Sequence, residues 1–147
     1  MTTRVHHSAI CVADVEASLR FYREGLGLEV LMDQSFEGDW PTLFDARSNR
    51  LRSIFLGDAA NPDAGIVELV SFGDGAEGRS PDPVPREGFF LLSFNVDVEE
   101  SLDRMAQLGF ADLRRIDQPA GALGTVPMAV LRDPDGVRIE LIGSPSR

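Results

Sequence analysis

Apolar and polar positions along the chain follow one order of elements, and that order occurs twice. In the first half, residues 4–12 alternate as a strand does, and residues 14–27 carry apolar side chains at the spacing of a helix. Three further runs have strand-like composition: 28–32, 50–56 and 65–72. The polar stretch 34–49 interrupts them and is interpreted as a loop or an irregular hairpin.

The second half repeats this order after residues 73–87, which are rich in glycine, proline and charge and are predicted to be a linker. A predicted strand at 88–96 and a predicted helix at 98–109 come first. Three strands then follow: 112–116, 127–132 and 137–142. The tetrapeptide DPDG, residues 133–136, separates the last two and is a strong tight-turn signal.

The two halves also share similar residues at matching positions. The strand-to-helix junction ICVADVEASL resembles FNVDVEESL, and the last strands GIVELVSF and GVRIELIG resemble each other. Coincident features in the same order indicate an internal repeat whose two copies bury their faces against each other. We therefore predict one domain, residues 1–147, built from two strand–helix–strand–strand–strand units at 4–72 and 88–143.

Size and charge restrict the classes of partner. A chain of 147 residues with 43% apolar and 26% charged residues is typical of one soluble globular domain. The formal net charge of −10 argues against binding to nucleic acid or to an anionic membrane surface, because both need positive patches. We therefore expect a small-molecule substrate or ligand, with no nucleic acid and no membrane as partner.

Two further observations concern the compartment. Cys11 is the single cysteine, which excludes an internal disulfide and fits a reducing environment. The N-terminal residues show no basic region followed by a long apolar segment, and the sequence contains no run of about 20 apolar residues. These features predict a cytoplasmic protein without a signal peptide or a membrane-spanning helix.

Two glutamates stand at matching positions inside apolar strands. They are Glu68 in GIVELVSF and Glu140 in GVRIELIG, and burying an unpaired carboxylate there costs several kcal/mol. If the first and last strands of each unit are neighbours, His7 and Glu68 face a common cavity, and Glu140 reaches it from the second unit. Imidazole nitrogen and carboxylate oxygen suit a cation such as zinc, iron, manganese, nickel or cobalt.

The stretches HHSAICVADVEASLRFYREGLGLEV and DPDGVRIEL resemble the opening and closing units of the vicinal oxygen chelate superfamily, the group of glyoxalases, bleomycin-resistance proteins and extradiol dioxygenases. The resemblance covers nearly the whole chain and is weakest at residues 34–50 and 73–87. It implies an α+β fold in which two βαβββ units form a curved mixed sheet of half-barrels, with helices outside and a cavity inside. It also implies a homodimer, but it does not select a reaction, because this scaffold hosts many.

In this family, metal ligands come from the first and last strands of each unit, which the resemblance places at His7, Glu68 and Glu140. A further ligand is expected where the second unit opens, but Leu91 stands at that position and Phe90 precedes it. Neither side chain binds a metal. The predicted cofactor is therefore one divalent metal (Zn, Ni, Fe, Mn or Co) or none. The resemblance also disfavours an extradiol dioxygenase, because the metal site of those enzymes has two histidines and Leu91 stands where the second would be.

Three classes of function follow from the resemblance and stay open. The first is a glyoxalase-like or epimerase-like lyase or isomerase that moves a proton on an oxygen-rich substrate, with His7, Glu68 and Glu140 as catalytic residues and metal ligands. The second is a metal-independent enzyme on the same cavity that uses Glu68, Glu140 or His7 for proton transfer. The third is a metal-free protein that binds a small molecule, such as an antibiotic or natural product, or confers resistance to it.

Each candidate residue also has a purely structural interpretation. His7 is alternatively a core histidine bonded to a backbone carbonyl, and Glu68 is alternatively paired with an internal arginine. For Glu140 the alternative partner is Arg138, two residues earlier on the same strand face.

Four further side chains carry expectations of their own. His6 is expected to point away from His7 along the strand, and Cys11 is expected to be an inert buried thiol. Phe36 and Trp40 lie in the irregular segment and are candidates to cover a pocket.

Overall fold

The computed structural model describes residues 2–73, 84–111 and 113–145, and its strands form two four-stranded sheets. The fold divides into two compact units, Met1–Gly78 and Arg79–Arg147. Each sheet is mixed, because its first strand pairs in parallel with its last strand and the remaining pairs are antiparallel. The predicted α+β fold of two βαβββ units is confirmed.

The first unit has the strand order β1-β4-β3-β2. Its strands are β1 His7–Cys11, β2 Glu29–Glu37, β3 Arg50–Gly57 and β4 Ile66–Ser71. Helix α1 spans Val15–Leu19 and continues as a π-helical segment over Arg20–Gly25, and a short helix α2 spans Trp40–Phe44. One face of this sheet packs against the first helix and forms a core that includes Ile10, Phe21, Tyr22, Ile54 and Leu69.

The second unit has the equivalent order β5-β8-β7-β6. Its strands are β5 Leu92–Asn95, β6 Leu113–Pro119, β7 Thr125–Arg132 and β8 Arg138–Ile142. Helix α3 spans Val98–Gln107, and a 3-10 turn spans Gly121–Leu123. The core of this unit includes Val98, Leu102, Met105, Leu131, Ile139 and Leu141.

The repeat extends to the way both helices begin. Asp14 caps α1 by accepting a hydrogen bond from the Ala17 N–H at 3.1 Å, and Asp97 caps α3 by accepting one from the Glu100 N–H at 3.0 Å. An aspartate at this position satisfies an otherwise unpaired N–H in the first turn. The matching junctions in the sequence therefore correspond to matching helix starts.

The predicted turn at residues 133–136 is also present. The Asp133 side chain accepts hydrogen bonds from the Asp135 N–H at 2.9 Å and from the Val137 N–H at 2.8 Å. Gly136 adopts φ 83°, a left-handed conformation that glycine reaches without steric cost. This turn connects β7 to β8 and so fixes the position of the strand that carries Glu140.

Of the two alternatives for residues 34–49, the structure supports the irregular hairpin. Strand β2 continues to Glu37 and pairs antiparallel with β3, and the connection between them contains α2, which was not predicted. Asp39 caps α2 by accepting a hydrogen bond from the Thr42 N–H, and Pro41 lies in its first turn. Both signals were present in the sequence.

Two other predicted elements differ in length or type. The first predicted helix is α-helical only to Leu19, after which the Leu26 N–H bonds to the Phe21 carbonyl five residues earlier. The strand predicted at 88–96 is shorter, since only Leu92–Asn95 pair with β8. The predicted linker at 73–87 lies largely outside the described residues, and its role stays a prediction. None of the helices in the described part of the chain has the length and apolar character needed to cross a bilayer.

Candidate functional site

A cavity of about 620 Å³ lies on the face of the first sheet that points away from α1. Because side chains alternate along a strand, this face receives one set of positions from each strand. His7, Ala9 and Cys11 contribute from β1, and Glu68 and Val70 contribute from β4. The parallel pairing of β1 with β4 places Ala9 opposite Glu68, so His7 lies close to that carboxylate.

Glu68 has two polar partners, one on each neighbouring strand. Its Oε1 lies 3.3 Å from His7 Nε2, and its Oε2 accepts a hydrogen bond of 2.5 Å from the Ser53 hydroxyl. The Glu68 side chain is only 14% exposed, and Ser53 is buried. A carboxylate removed from water needs such partners. The pairing with an internal arginine, considered from the sequence, is not the arrangement seen.

A second histidine holds the His7 ring from the other side. His6 Nδ1 and His7 Nδ1 are 2.7 Å apart, so one ring nitrogen donates a hydrogen bond to the other. With a carboxylate oxygen beside its Nε2, His7 is best placed when the proton is on Nε2, which leaves Nδ1 to accept from His6. The prediction that His6 points away from His7 is wrong, because His6 precedes β1 and is not held in the strand's alternation.

The remainder of the cavity wall is apolar. Strands β2 and β3 contribute Met32, Phe36, Leu51 and Phe55, and α2 contributes Trp40 and Phe44. Phe36 and Trp40 therefore line the pocket, as expected for residues that cover it. The prediction of a buried thiol at Cys11 is wrong, since this side chain is exposed and lines the same cavity.

Glu140 lies in the second unit at the position that corresponds to Glu68. It pairs in register with Ser93 of β5, and its Oε1 accepts a 2.9 Å hydrogen bond from the Ser93 hydroxyl. Leu91 precedes β5 at the position that corresponds to His7, so the second unit has no imidazole there. Arg138, the alternative partner of Glu140, places its guanidinium 4.6 Å from the centre of the Phe90 ring.

The described side chains offer few metal donors in one place. His7 and Glu68 supply one nitrogen and one carboxylate on the first sheet, and Cys11 lies on the same face. Within residues 2–73, 84–111 and 113–145, no group of three or more His, Cys, Asp or Glu side chains is placed to share a metal ion. The described side chains therefore do not form a complete protein ligand set.

Ser53 is the site residue that sequence reasoning missed. It lies two residues before Phe55, which pairs with Glu68, and therefore on the same face of β3. The available signal was a single hydroxyl on the cavity-facing set of an otherwise apolar strand. Its value as a partner for Glu68 depends on the β3–β4 register, which the sequence does not specify.

Relatives with known names share this chain's sequence over nearly its whole length. The lactoylglutathione lyase-like protein terB of Aspergillus terreus is 35% identical, over 96% of this chain and 75% of that protein. A protein of Synechocystis named "Probable lactoylglutathione lyase" is 26% identical, over 96% of this chain and 95% of its own length.

Solved structures share the fold. A glyoxalase-family protein of Bacillus cereus superposes with a TM-score of 0.75 at 17% identity, over 99% of this chain and 97% of its own. The trypanothione-dependent glyoxalase I of Leishmania major has a TM-score of 0.67 at 26% identity, over 97% of this chain and 87% of its own.

The sequence pattern of one family matches residues 4–141, a span that includes all of β1 and the Glu140 position on β8. The match agrees with the two βαβββ units, with the relatives and with the resemblance of the opening and closing motifs. The chain therefore belongs to the Glyoxalase/Bleomycin resistance protein/Dioxygenase superfamily.

Proposed function

We propose that this protein is a lyase or isomerase of the superfamily, in which Glu68 moves a proton on a small oxygen-rich substrate bound in the cavity of the first unit. The observation that carries the proposal is the position of Glu68. It is a largely buried carboxylate at a cavity wall, and its two partners are Ser53 and His7. A carboxylate has about four acceptor sites, so these two contacts leave capacity for a substrate proton.

The proposed step is a proton transfer next to a carbonyl group. Glu68 takes a proton from the hydroxyl-bearing carbon beside the substrate carbonyl. The electron pair of that C–H bond forms a carbon–carbon double bond, and the π pair of the carbonyl moves to its oxygen, which gives an enediolate.

The Nε2 proton of His7 faces Glu68 in the free protein. Once Glu68 has taken the substrate proton it has lost its negative charge, and His7 can donate to the developing oxygen charge instead. The proton of the neighbouring hydroxyl then passes to this oxygen, so that a new carbonyl forms at the first carbon, and Glu68 returns its proton to the former carbonyl carbon. The product is an isomer of the substrate.

Each neighbour has a distinct part in this step. Ser53 donates to Glu68 and holds the carboxylate in one orientation. His6 fixes the ring of His7 and the nitrogen that carries its proton. His6 is thus a positioning residue, since it acts through His7 and does not line the cavity.

No step of the proposal passes through a metal ion. Members of the superfamily often use a divalent metal, and the predicted ligand set of His7, Glu68 and Glu140 draws on both units. Among the described residues, no three His, Cys, Asp or Glu side chains are placed to share a metal ion. The position expected for a further ligand is occupied by Leu91. The assignment of Glu140 to the site stays a prediction, to be tested by Glu140→Gln.

The names of the relatives suggest a thiol-peptide conjugate as substrate, but the cavity lining does not favour one. Such a conjugate carries two carboxylates. Glu68 lines the cavity, whereas no arginine is among its lining residues and the chain has no lysine. An anionic peptide would therefore meet a like charge in the first unit without a cationic partner.

Hydrogen–deuterium exchange at a carbon tests the proposal directly. The enzyme is treated with a chelator, and exchange at the hydroxymethyl carbon of hydroxyacetone in heavy water is followed by proton NMR. We expect exchange above the buffer rate in the native protein, its loss in Glu68→Gln, and retention of the fold in that variant by circular dichroism. Exchange that requires added Zn²⁺ or Ni²⁺, or that survives in Glu68→Gln, would overturn the proposal.

A second candidate function is favoured by the apolar lining of the cavity. Most of its wall is made of aromatic and aliphatic side chains, as in pockets that bind small molecules without chemistry. On this alternative the protein sequesters a natural product or an antibiotic. Ligand binding without carbon-bound proton exchange would select it.

The expected homodimer also belongs among the proposals. Many proteins of this fold pair as dimers, and light scattering after gel filtration measures the mass directly. A mass of twice the 16.0 kDa chain at micromolar concentration is the expected result.

A further inference from the structure

We propose that the cavity of the first unit binds a planar aromatic compound whose uncharged, oxygen-bearing group reaches Glu68. The inference rests on the proposed function for the polar end of the cavity and adds the class of substrate. It is carried by a group of four rings, Phe36, Trp40, Phe44 and Phe72, which we call the aromatic wall.

The aromatic wall is an ordered arrangement. Trp40 and Phe44 lie one turn apart on α2, and their rings are stacked with centroids 5.8 Å apart and an angle of 12°. Phe44 also meets Phe72 edge to face at 6.4 Å. Stacked and edge-to-face rings at these distances attract each other beyond their burial. A flat ligand ring can extend this stack into the cavity.

The polar atom of the wall is already engaged. The Trp40 indole N–H points to the carbonyl of Phe36, at 3.4 Å. Trp40 therefore contributes only apolar ring surface to the cavity lining. Specific hydrogen bonds to a ligand must come from the opposite end, where Ser53, His7 and Glu68 lie.

Two rings of the aromatic wall are exposed to solvent. Phe44 is 54% exposed and Phe36 is 38% exposed, although both line a cavity large enough for a bicyclic molecule. Clustered exposed aromatic side chains mark binding surfaces, because water contact with them is unfavourable. A planar ligand between them removes that contact.

Charge restricts the ligand further. Glu68 is a carboxylate at the polar end, and no arginine lines the cavity among the described residues. A carboxylate, sulfate or phosphate on the ligand would face Glu68 without a counter-ion, which disfavours binding. A hydroxyl or ketone oxygen avoids this cost, because either can accept from His7 Nε2 and the hydroxyl can also donate to Glu68. An aryl hydroxyketone satisfies both ends.

A substitution at Gly38 can perturb the aromatic wall without changing any of its four rings. A Cβ added there would lie 2.8 Å from Cζ2 of the Trp40 ring, closer than real Cβ contacts allow. Gly38→Ala should therefore displace the ring without removing it. Since Trp40 is the only tryptophan, its fluorescence reports this displacement directly.

Calorimetric titration of three probes tests the inference. The first is 2-hydroxy-1-(2-naphthyl)ethanone, the second is hydroxyacetone, which has the same hydroxyketone without the rings, and the third is S-methylglutathione. We expect the naphthyl ketone to bind at least about tenfold more tightly than hydroxyacetone and S-methylglutathione. Trp40→Leu should weaken the naphthyl ketone by about 3- to 10-fold and leave hydroxyacetone unchanged.

Two further variants serve as a second perturbation of Trp40 and as a control. Gly38→Ala should weaken the naphthyl ketone as Trp40→Leu does, with a shifted Trp40 emission. Leu43→Ala is the matched control, because Leu43 lies on α2, is exposed and does not line the cavity. This variant should bind all three probes as the native protein does.

The outcomes separate this inference from the proposed function. If the naphthyl ketone binds no better than hydroxyacetone, or if Trp40→Leu binds it as tightly as the native protein, the aromatic substrate is wrong. Exchange on hydroxyacetone that is lost in Glu68→Gln would still support the proposed function. Tight binding that depends on Trp40 without any proton exchange would support the aromatic ligand and overturn the enzyme.

Discussion

The two units of the chain share their topology but differ at the positions that face away from the helices. In the first unit, Glu68 contacts an imidazole and a buried hydroxyl. In the second, Glu140 accepts from the exposed Ser93, and Leu91 replaces the imidazole. The hydroxyl comes from β3 in the first unit and from β5 in the second. Equivalent glutamates therefore have different surroundings.

The helix-facing side of each sheet shows the opposite behaviour. Both helices begin at a capping aspartate, and Ser18 and Ser101 are buried at corresponding places on them. Packing against a helix requires shape and volume at every position, so few changes are tolerated there. The other face is constrained by what it binds. An internal repeat therefore predicts the core well and the chemistry poorly.

The largest expected difference between the units is in activity. Glu68→Gln removes the proposed proton acceptor and should lower the exchange rate by about 10²- to 10⁴-fold, the usual contribution of a general base. Glu140→Gln, the matched change in the second unit, should lower it less. Deuterium exchange by NMR measures both. Equal losses would mean that Glu140 shares the reaction with Glu68, as the resemblance implies.

The next difference is in stability. Ser53→Ala leaves a largely buried carboxylate oxygen without its hydroxyl donor and should lower the free energy of unfolding by about 1–3 kcal/mol. Ser93→Ala, at an exposed position, should change it by no more than about 0.5 kcal/mol. Urea denaturation followed by circular dichroism compares the two. If Ser53→Ala costs much less in a Glu68→Ala background, the loss arises from that hydrogen bond.

Restoring the missing imidazole should make the units more alike. Leu91→His places a histidine two residues before Ser93, as His7 lies two residues before Ala9. We expect Zn²⁺ affinity, measured by calorimetry, to rise by at least about tenfold, since even an outer-shell partner produces an effect of that size. Leu91→Gln is the control. An unchanged affinity would show that the two positions are not equivalent.

The smallest expected effect concerns an exposed ion pair in the first unit. The hydrogen bond from Arg52 lowers the pKa of the Asp33 carboxyl below its ordinary value. A lowered pKa stabilises the fold above the unfolded-state pKa of about 3.9, and this contribution is lost as the pH falls through the folded-state value. Asp33→Asn should lower stability at neutral pH by about 0.2–1 kcal/mol, as for other exposed pairs. The difference from the native protein should vanish in acid.

Much of the fold could be predicted from the sequence because the same order of elements occurs in both halves of the chain. The capping aspartates, the turn at residues 133–136 and the strands that carry Glu68 and Glu140 each leave a local signal. Helix α2 was missed because its five residues are too few to show a period. The extension of β2 was missed because its outer half is exposed on both faces, so its residues do not alternate in polarity.

The site was only half predictable for a related reason. The proximity of His7 to Glu68 follows from a parallel pairing that the repeat and the resemblance both indicate. Ser53, His6 and Cys11 depend on details that no period specifies: a register, a residue just outside a strand, and the depth of a cavity. Local sequence patterns specify which face of a strand a side chain lies on, whereas contacts between side chains depend on how the strands pair and pack.

The parallel pairing of β1 with β4 has a consequence for the order of folding. Strands β2, β3 and β4 are joined in sequence by antiparallel pairs, so they can assemble from nearby segments. The first strand must return across the whole unit to meet the last, and such distant contacts are slow because a long loop has to close first. His7 and Glu68 therefore come together only as the unit closes. Gain of proton-exchange activity during refolding should lag behind the formation of the antiparallel β2–β3–β4 sheet and mark the completion of the first unit.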